Sequence, residues 1–542
     1  MARNGAQISR VAREKLGFDE LRPGQREAVE SLLAGRDTLV VMSTGSGKSA
    51  IYQLAALMLE GPTLVVSPLI SLQRDQVESI EAELPGEAAA LDGSLTEGQR
   101  RRRLRELALD DREFLFLAPE QLARAETVDA LRAARPSLLV VDEAHCISEW
   151  GHDFRPDYLR LGALVEALGH PTVCALTATA SPPVRDEIVT RLGMDEPVLV
   201  VRGFDRPGIW LGVERFREAD DKRRALLDAV AAAERPGIVY VATRREADEL
   251  ARELSDRGLA AEAYHAGLGS ARRDEIQSAF MDDALDAIVA TTAFGMGVDK
   301  PNVRFVFHAA PSESLDAYYQ EIGRAGRDER PARALLFYRP EDLGVRRFFA
   351  SGGRLDAEQL EEVADAVREA RGPLTADELR ERTELSESKL MGALTRLEEA
   401  GALDVRADGR VEREDLAGAD AEAAVEEAAD AEADRRRFDR SRVEMVRAYA
   451  EHPYCRRSFV LSYFGEPHPG SCGNCDNCDA GRGEAEAASE PFGVGARVAH
   501  EAWGEGVVQR YDGDGMVVLF DSVGYKTLSV ALVEDRGLLH EA

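Results

Sequence analysis

The sequence predicts an α/β protein: two parallel-sheet domains in tandem, followed by smaller modules. Three observations carry this expectation. Short apolar runs recur from Leu16 to about Tyr338. Amphipathic helical stretches separate them, and the pattern restarts once midway. An apolar run joined to the next by a helix reads as a parallel strand, because crossover helices cover both faces of the sheet.

The runs of the first domain are Thr38–Met42, Thr63–Ser67, Phe114–Leu117, Leu138–Val141 and Thr172–Leu176, with Ser71–Leu84 a clear helical pattern between them. The restart comes after Pro207, with Gly237–Val241, Ala287–Ala290 and Arg304–His308. The domains are therefore placed at residues 1–206 and 207–350. Residues 355–413 read helix, turn, helix and two short strands, a winged-helix pattern. Ser386 suits the N-cap of the second helix, and Ala407-Asp408-Gly409 suits a hairpin turn. A helical spacer is the plainer alternative. Glu414–Asp434 carries nine acids and no base, which reads as a solvated linker or helix. A cysteine-rich helical module occupies 435–479, and a Gly/Ala/Glu/Ser linker runs to Pro491. Residues 492–542 read as short strands with Gly-rich turns, a small β-barrel. No internal repeat is evident.

At about 150 residues per domain, 542 residues suggest three to four domains. With 44% hydrophobic and 31% charged residues, the chain is too apolar overall for a disordered one. Apolar stretches such as Leu54–Leu59 fall far short of the roughly 18 residues of a membrane span, so no membrane role is expected. The start, MARNGAQISRVAREKLG, has no apolar core like that of a secretory signal, so the expected location is a bacterial-type cytosol or nucleoid. Charge points the other way from nucleic acid: 68 basic residues, only six of them Lys, against 99 acidic ones give −31. A groove can still be basic on an acidic protein.

Ser43-Thr44-Gly45-Ser46-Gly47-Lys48-Ser49 follows the first apolar run and opens a helical pattern. Glycines let backbone N–H groups close on phosphate oxygens, and a helix N-terminus favours the anion. Lys48 would reach the β- and γ-phosphates of ATP, and the Ser49 hydroxyl would ligate Mg²⁺. Met42 stands where the strict pattern has its first Gly. Asp142-Glu143-Ala144-His145 ends the run Leu138–Val141. There Asp142 can hold Mg²⁺ and Glu143 can polarise the attacking water. Gln320-Glu-Ile-Gly-Arg324-Ala-Gly-Arg327 offers two arginines for the γ-phosphate, although read alone they suit surface ion pairs equally.

These pieces resemble the helicase core of superfamily two, spread over residues 16–338, and specifically its RecQ branch. The segments that carry the resemblance are Phe18–Gln25 (FDELRPGQ), Ile147–Tyr158 (ISEWGHDFRPDY), Ala175–Ala180 (ALTATA), Tyr264–Leu268 (YHAGL), Thr291–Arg304 (TTAFGMGVDKPNVR) and Gln320–Asp328. The resemblance implies two RecA-like domains with ATP in the cleft between them and a single strand across their tops. It implies that Phe18 and Arg22 pack on adenine, that Gln25 reads its edge, and that Asp299 contacts the nucleotide from the second domain. Thr177 and Thr179 would couple the domains. Trp150 and Phe154 can stack on bases, which tolerates any sequence, or else pack in a core. Arg155 would pair with a phosphate or reach toward ATP. The activity implied is 3′-to-5′ translocation on single-stranded DNA and duplex unwinding in recombination and repair.

Cys455 and Cys472 enclose sixteen residues, and Cys475 and Cys478 follow at two-residue spacings. Four such thiolates suit structural Zn²⁺, with an iron–sulfur cluster as the alternative. The segment also looks like the RecQ zinc module. Cys146 and Cys174 read as buried small apolar residues. In the usual RecQ arrangement a winged helix follows the zinc module; here the winged-helix pattern precedes the cysteines. The C-terminal segment resembles the Tudor-like barrel of UvrD-type helicases at Val498, His500, Trp503-Gly504, Gly506–Val508, Phe520-Asp521, Gly524 and Lys526. That likeness implies contact with RNA polymerase; a plain protein- or DNA-binding barrel is the alternative. The whole reads as an ATP-dependent DNA helicase. An RNA helicase or remodeller, a docking adaptor and a translocase that does not unwind are its rivals.

Overall fold

The computed structural model describes residues 5–68, 70–93, 95–108, 113–148, 155–295, 298–344, 355, 357–370, 372–405, 410–413, 418–466, 468, 470–483 and 489–542. Trp150, Phe154 and the expected turn Ala407–Gly409 lie outside the described residues. Contacts group the chain into two units, Met1–Gly203 with Gly353–Arg435, and Phe204–Gly352 with Arg436–Ala542.

The first unit is built on a seven-stranded parallel sheet. Its strands are β1 (Thr38–Met42), β2 (Thr63–Val66), β3 (Ala88–Leu91), β4 (Phe114–Leu117), β5 (Leu138–Val141), β6 (Thr172–Thr177) and β7 (Val198–Arg202), in the order β3-β4-β2-β5-β6-β1-β7. β1, β2, β4 and β5 are buried at every position, as helix-covered parallel strands must be. Ile8, Val29 and Ile51 of three helices pack with Val40 and Phe114 of the sheet into one core.

The second unit carries a six-stranded parallel sheet of β8 (Ile209–Arg215), β9 (Gly237–Tyr240), β10 (Ala261–Tyr264), β11 (Ala287–Ala290), β12 (Phe305–His308) and β13 (Ala332–Tyr338), ordered β10-β11-β9-β12-β13-β8. The first six strands of the chain and these six follow the same order. A topological repeat is thus present where the sequence displays none, because strand order survives complete replacement of the residues. β13, inside its sheet, escaped the sequence reading, and so did four others: β3, β7, β8 and β10. All four are sheet edges, where one side lacks a strand neighbour and the apolar run is weak or broken: AAAL in β3, AEAY in β10.

The winged-helix expectation is met among the described residues. Helices Ala357–Arg368, Ala376–Thr383 and Glu387–Glu399 precede the antiparallel strands β14 (Leu403–Val405) and β15 (Val411–Arg413), and Leu374 bridges to Val411. Ser386 caps its helix as expected, accepting from the Lys389 N–H, and Thr375 with Glu378 closes a capping box. The acidic stretch expected to be solvated is helical from Gly418, the start of the 34-residue helix Gly418–Glu451. One of its stripes is not solvated: Val425 and Ala428 enter the winged-helix core, and Glu432 pairs with buried Arg396 at 3.5 Å.

In the second unit the C-terminal residues form an antiparallel sheet ordered β19-β18-β17-β16-β20. Its strands are β16 (Arg497–His500), β17 (Gly504–Asp512), β18 (Gly515–Phe520), β19 (Gly524–Ser529) and β20 (Leu539–Glu541). It is a meander whose last strand returns to pair with the first. A bulge at Val508/Arg510 bends it over Val498, Val508, Val518 and Phe520.

Candidate functional site

β1 ends in the core at Met42 and delivers the loop Ser43–Gly47. Met42 is buried, so the residue that breaks the strict loop pattern is a strand residue and packs as one. Gly45 and Gly47 turn the chain at φ 77° and 80°, in the left-handed region that costs other residues strain. The helix Lys48–Ala56 begins at once. Lys48 Nζ donates to the carbonyls of Met42 (2.9 Å) and Ser43 (3.3 Å). The Ser46 hydroxyl is buried without a hydrogen-bond partner. A buried hydroxyl, a lysine and a helix start gathered at one loop make a setting that fits the phosphate oxygens of a nucleotide.

Gln25 and Arg22 hold that loop from outside. The buried Gln25 amide accepts from the Arg22 N–H at 2.7 Å and donates to the carbonyls of Gly47 (2.9 Å) and Ser46 (3.3 Å). Arg22 donates to the Gly45 carbonyl. A Cβ at Gly47 would lie 2.6 Å from Gln25 Nε2. The resemblance assigned both side chains to adenine; in the structure they grip the backbone of the phosphate loop. Phe18, assigned the same partner, is exposed.

Asp142 stands just past β5. Burial and the charge of Glu143 push its pKa up to about 6, against the opposing Lys48 charge, the Glu143 N–H and Gln76. A carboxylate so desolvated, with a lysine near it and the Ser49 hydroxyl at the loop, fits a Mg²⁺ ion. Glu143 adopts φ 47°, a strained conformation for a non-glycine residue. Its carboxylate lies 3.3 Å from His145 Nδ1, which is 2.9 Å from Thr177 Oγ1; that hydroxyl donates to the Thr179 carbonyl at 3.0 Å. Two separate sequence segments are thus joined by one run of polar contacts, hydrogen-bonded from His145 onward. His145 and Tyr158, whose hydroxyl donates to the Asp142 carbonyl at 3.0 Å, stood inside the quoted segments but were assigned no role. Gln76 carried no sequence signal. Arg155 donates to the Pro68 carbonyl at 2.6 Å.

In the second unit, Arg324 and Arg327 follow the helix Leu315–Ile322. Both are largely buried, and the Nε of each lacks a hydrogen-bond partner. Arg327 pairs with Asp299, whose side chain is 83% exposed, and burial lowers the arginine's pKa against that pull. Unspent donors on buried cations fit an anionic ligand.

The ligand atoms of Cys455, Cys472, Cys475 and Cys478 lie within 4.8 Å of one another, with Cys472 and Cys478 sulfurs 3.8 Å apart. Tetrahedral zinc with bonds of about 2.3 Å spaces its sulfurs by about 3.8 Å. Backbone N–H groups of Ser458, Asn474 and Cys478 donate to the sulfurs of Cys455, Cys472 and Cys475, and the Ser471 hydroxyl to Cys478. Such donors favour thiolates, so the site fits structural Zn²⁺. The module is joined to β8: Leu211 pairs with Cys475, and the Val213 N–H donates to Asp476 at 3.1 Å. Cys146 and Cys174 are buried, as expected.

Comparison with known proteins matches the geometry. Residues 22–188 match the DEAD/DEAH box helicase family, 221–329 the helicase conserved C-terminal domain and 418–479 the RecQ zinc-binding family. The probable ATP-dependent DNA helicase RecS of Bacillus subtilis is 42% identical over 353 residues, covering 65% of this chain and 70% of that one. The ATP-dependent DNA helicase RecQ of Pasteurella multocida is 42% identical over 327 residues, covering 60% and 51%. The chain thus spans about half the length of that longer relative. Among solved structures, Mycobacterium smegmatis helicase Lhr bound to ssDNA and AMP-PNP aligns with a TM-score of 0.51 at 22% identity, over 78% of this chain and 61% of that one. The helicase MrfA bound to DNA aligns with a TM-score of 0.52 at 18% identity, over 77% and 63%. These two likenesses establish the fold. With the phosphate loop, the carboxylates that end β5, the paired arginines and the four-cysteine centre on the page, the relatives place this chain in the RecQ family of ATP-dependent DNA helicases, within superfamily two.

Proposed function

We propose that the chain hydrolyses ATP to move 3′-to-5′ along single-stranded DNA and to separate duplex strands during recombination and repair. The carrying observation is that the Glu143 carboxylate faces His145 at 3.3 Å, and His145 is hydrogen-bonded to Thr177 and through it to Thr179, a second helicase segment. Lys48 and the loop N–H groups bind the β- and γ-phosphates. Mg²⁺, held by Ser49 and Asp142, would neutralise phosphate charge. Glu143 accepts the proton of the attacking water. Arg324 and Arg327 stabilise charge on the γ-phosphate, with Asp299 and the Phe18–Gln25 segment contributing to nucleotide binding. Loss of the γ-phosphate frees the Glu143 carboxylate, and His145 passes that change to Thr177 and Thr179, so that grip on the strand alternates with hydrolysis. Trp150 and Phe154 stack on bases and Arg155 steadies their loop.

Single-stranded and duplex DNA are the partners. The C-terminal sheet serves as a protein-docking module, with RNA polymerase the partner its likeness suggests. Among the described residues no helix is long and apolar enough to cross a membrane; a bacterial-type cytosol or nucleoid is the proposed location. Strand displacement on 3′-tailed and 5′-tailed duplexes, with ATPase followed in parallel, tests the reading. Displacement of the 3′-tailed substrate alone is expected. DNA-stimulated hydrolysis without displacement would demote the protein to a translocase, and stronger stimulation by single-stranded RNA would redirect it to RNA.

A further inference from the structure

The helix Leu315–Ile322 ends two residues before Arg324, so its placement sets where both arginines stand. The cysteine module and the long helix leading into it grip this helix along its length. In its first turn, buried Asp316 accepts a hydrogen bond from the Tyr463 hydroxyl at 2.6 Å and faces Arg442 Nη2 at 3.5 Å. The Tyr318 and Tyr449 hydroxyls lie 3.2 Å apart, and the rings of Tyr319 and Phe464 pack at 4.9 Å. Beyond the helix, Arg206 donates to the carbonyls on either side of Arg324, Gly323 at 3.1 Å and Ala325 at 2.9 Å. The segment bearing Arg206 is itself held by the module: Arg457 reaches Asp205 at 2.7 Å and the Ile209 carbonyl at 2.6 Å.

Apolar side chains could join two helices as firmly as this buried carboxylate, cation and hydroxyl do, and without the cost of desolvation. What directional bonds add is a fixed rotation and axial setting. From Asp316 to the end of the helix at Ile322 is roughly 9 Å of rise at about 1.5 Å per residue, with Arg324 two residues beyond. A small tilt at the near end therefore moves the guanidinium by a distance that matters to catalysis.

We propose that Tyr463, Arg442 and Asp316 form a clamp through which the cysteine module positions the arginine-bearing turn for ATP hydrolysis. All three are positioning residues, and the proposal rests on the arginine role given above. It extends the zinc centre's part from holding its own fold to setting the rate of the motor.

The test uses the full zinc-loaded chain and two nearly isosteric variants, Tyr463→Phe and Asp316→Asn, with Arg442→Lys as the conservative control. DNA-stimulated kcat should fall about 10-fold or more in the first two, while KM for ATP stays within about twofold and zinc remains at one per chain. Arg442→Lys, which keeps the cation, should retain most of the rate. Unchanged kcat in both isosteric variants overturns the clamp, as does a loss of kcat that merely follows lost zinc or a lowered Tm. An inactive wild-type chain would instead defeat the motor reading, so the two failures are distinguishable.

Discussion

The two parallel sheets share a strand order and differ in what hangs from it. β5 of the first sheet and β12 of the second hold the same place, third from one edge when the extra strand β7 is set aside. The connection after β5 carries Asp142 and Glu143; the connection after β12 carries the helix that leads to Arg324 and Arg327. Equivalent positions thus carry adjacent carboxylates in one unit and two arginines in the other. The difference is sharper at β1 and β8. β1 runs into a loop with two left-handed glycines and an anion-ready helix start. β8 runs into Phe216-Arg217-Glu218 before the helix Ala219–Ala232, with no glycine to turn the backbone onto a phosphate. Its free edge is instead occupied by the cysteine module. A doubly wound sheet offers binding positions at its strand ends; the turn residues decide which become sites.

Substitutions on each side of this comparison should give different signatures. Arg324→Ala should have the largest effect on rate, about 10³- to 10⁵-fold in kcat, with nucleotide affinity near wild type. A loss below about 10-fold would mean the second unit supplies no cation to the reaction. Lys48→Ala should cost about 10³-fold in kcat and also weaken nucleotide binding, while single-strand binding persists. Persistent turnover would remove the phosphate loop from the mechanism. Gly47→Ala should be the mildest. Its φ of 80° and the 2.6 Å approach to Gln25 Nε2 predict about 1–2 kcal/mol of strain, read as a roughly 5- to 30-fold loss of nucleotide affinity by titration. The same change at Gly212 of β8 would meet the Trp210 ring and should leave nucleotide affinity untouched, which sharpens the contrast.

Much of the site was legible because its chemistry is local. The phosphate loop, the tetrad Asp142–His145 and the cysteine spacing each fit within a few residues, and central strands such as β1 and β5 announce themselves as unbroken apolar runs. Edge strands did not, since a half-covered strand need not be apolar throughout, and neither did interior β13, whose run is interrupted by Arg333. Nor did Gln76, which lies 66 residues from Asp142 in sequence and reaches it at 3.5 Å from the helix Ile70–Glu83. The acidic stretch after Glu414 misled in part: its charges are visible in sequence, whereas the stripe of Val425 and Ala428 matters only once the winged-helix core exists to receive it.

By itself the chain's residue order determined the fold class, the phosphate loop, the carboxylate pair and the four thiols, because each depends on periodicity or spacing over a short stretch. Only the tertiary structure decided that Gln25 grips the phosphate loop, that Glu143 reaches Thr177 through His145, and that the cysteine module holds the arginine helix through Asp316. Those links join residues far apart in sequence, and no local rule relates them; they arise when packing brings their helices and strand ends together.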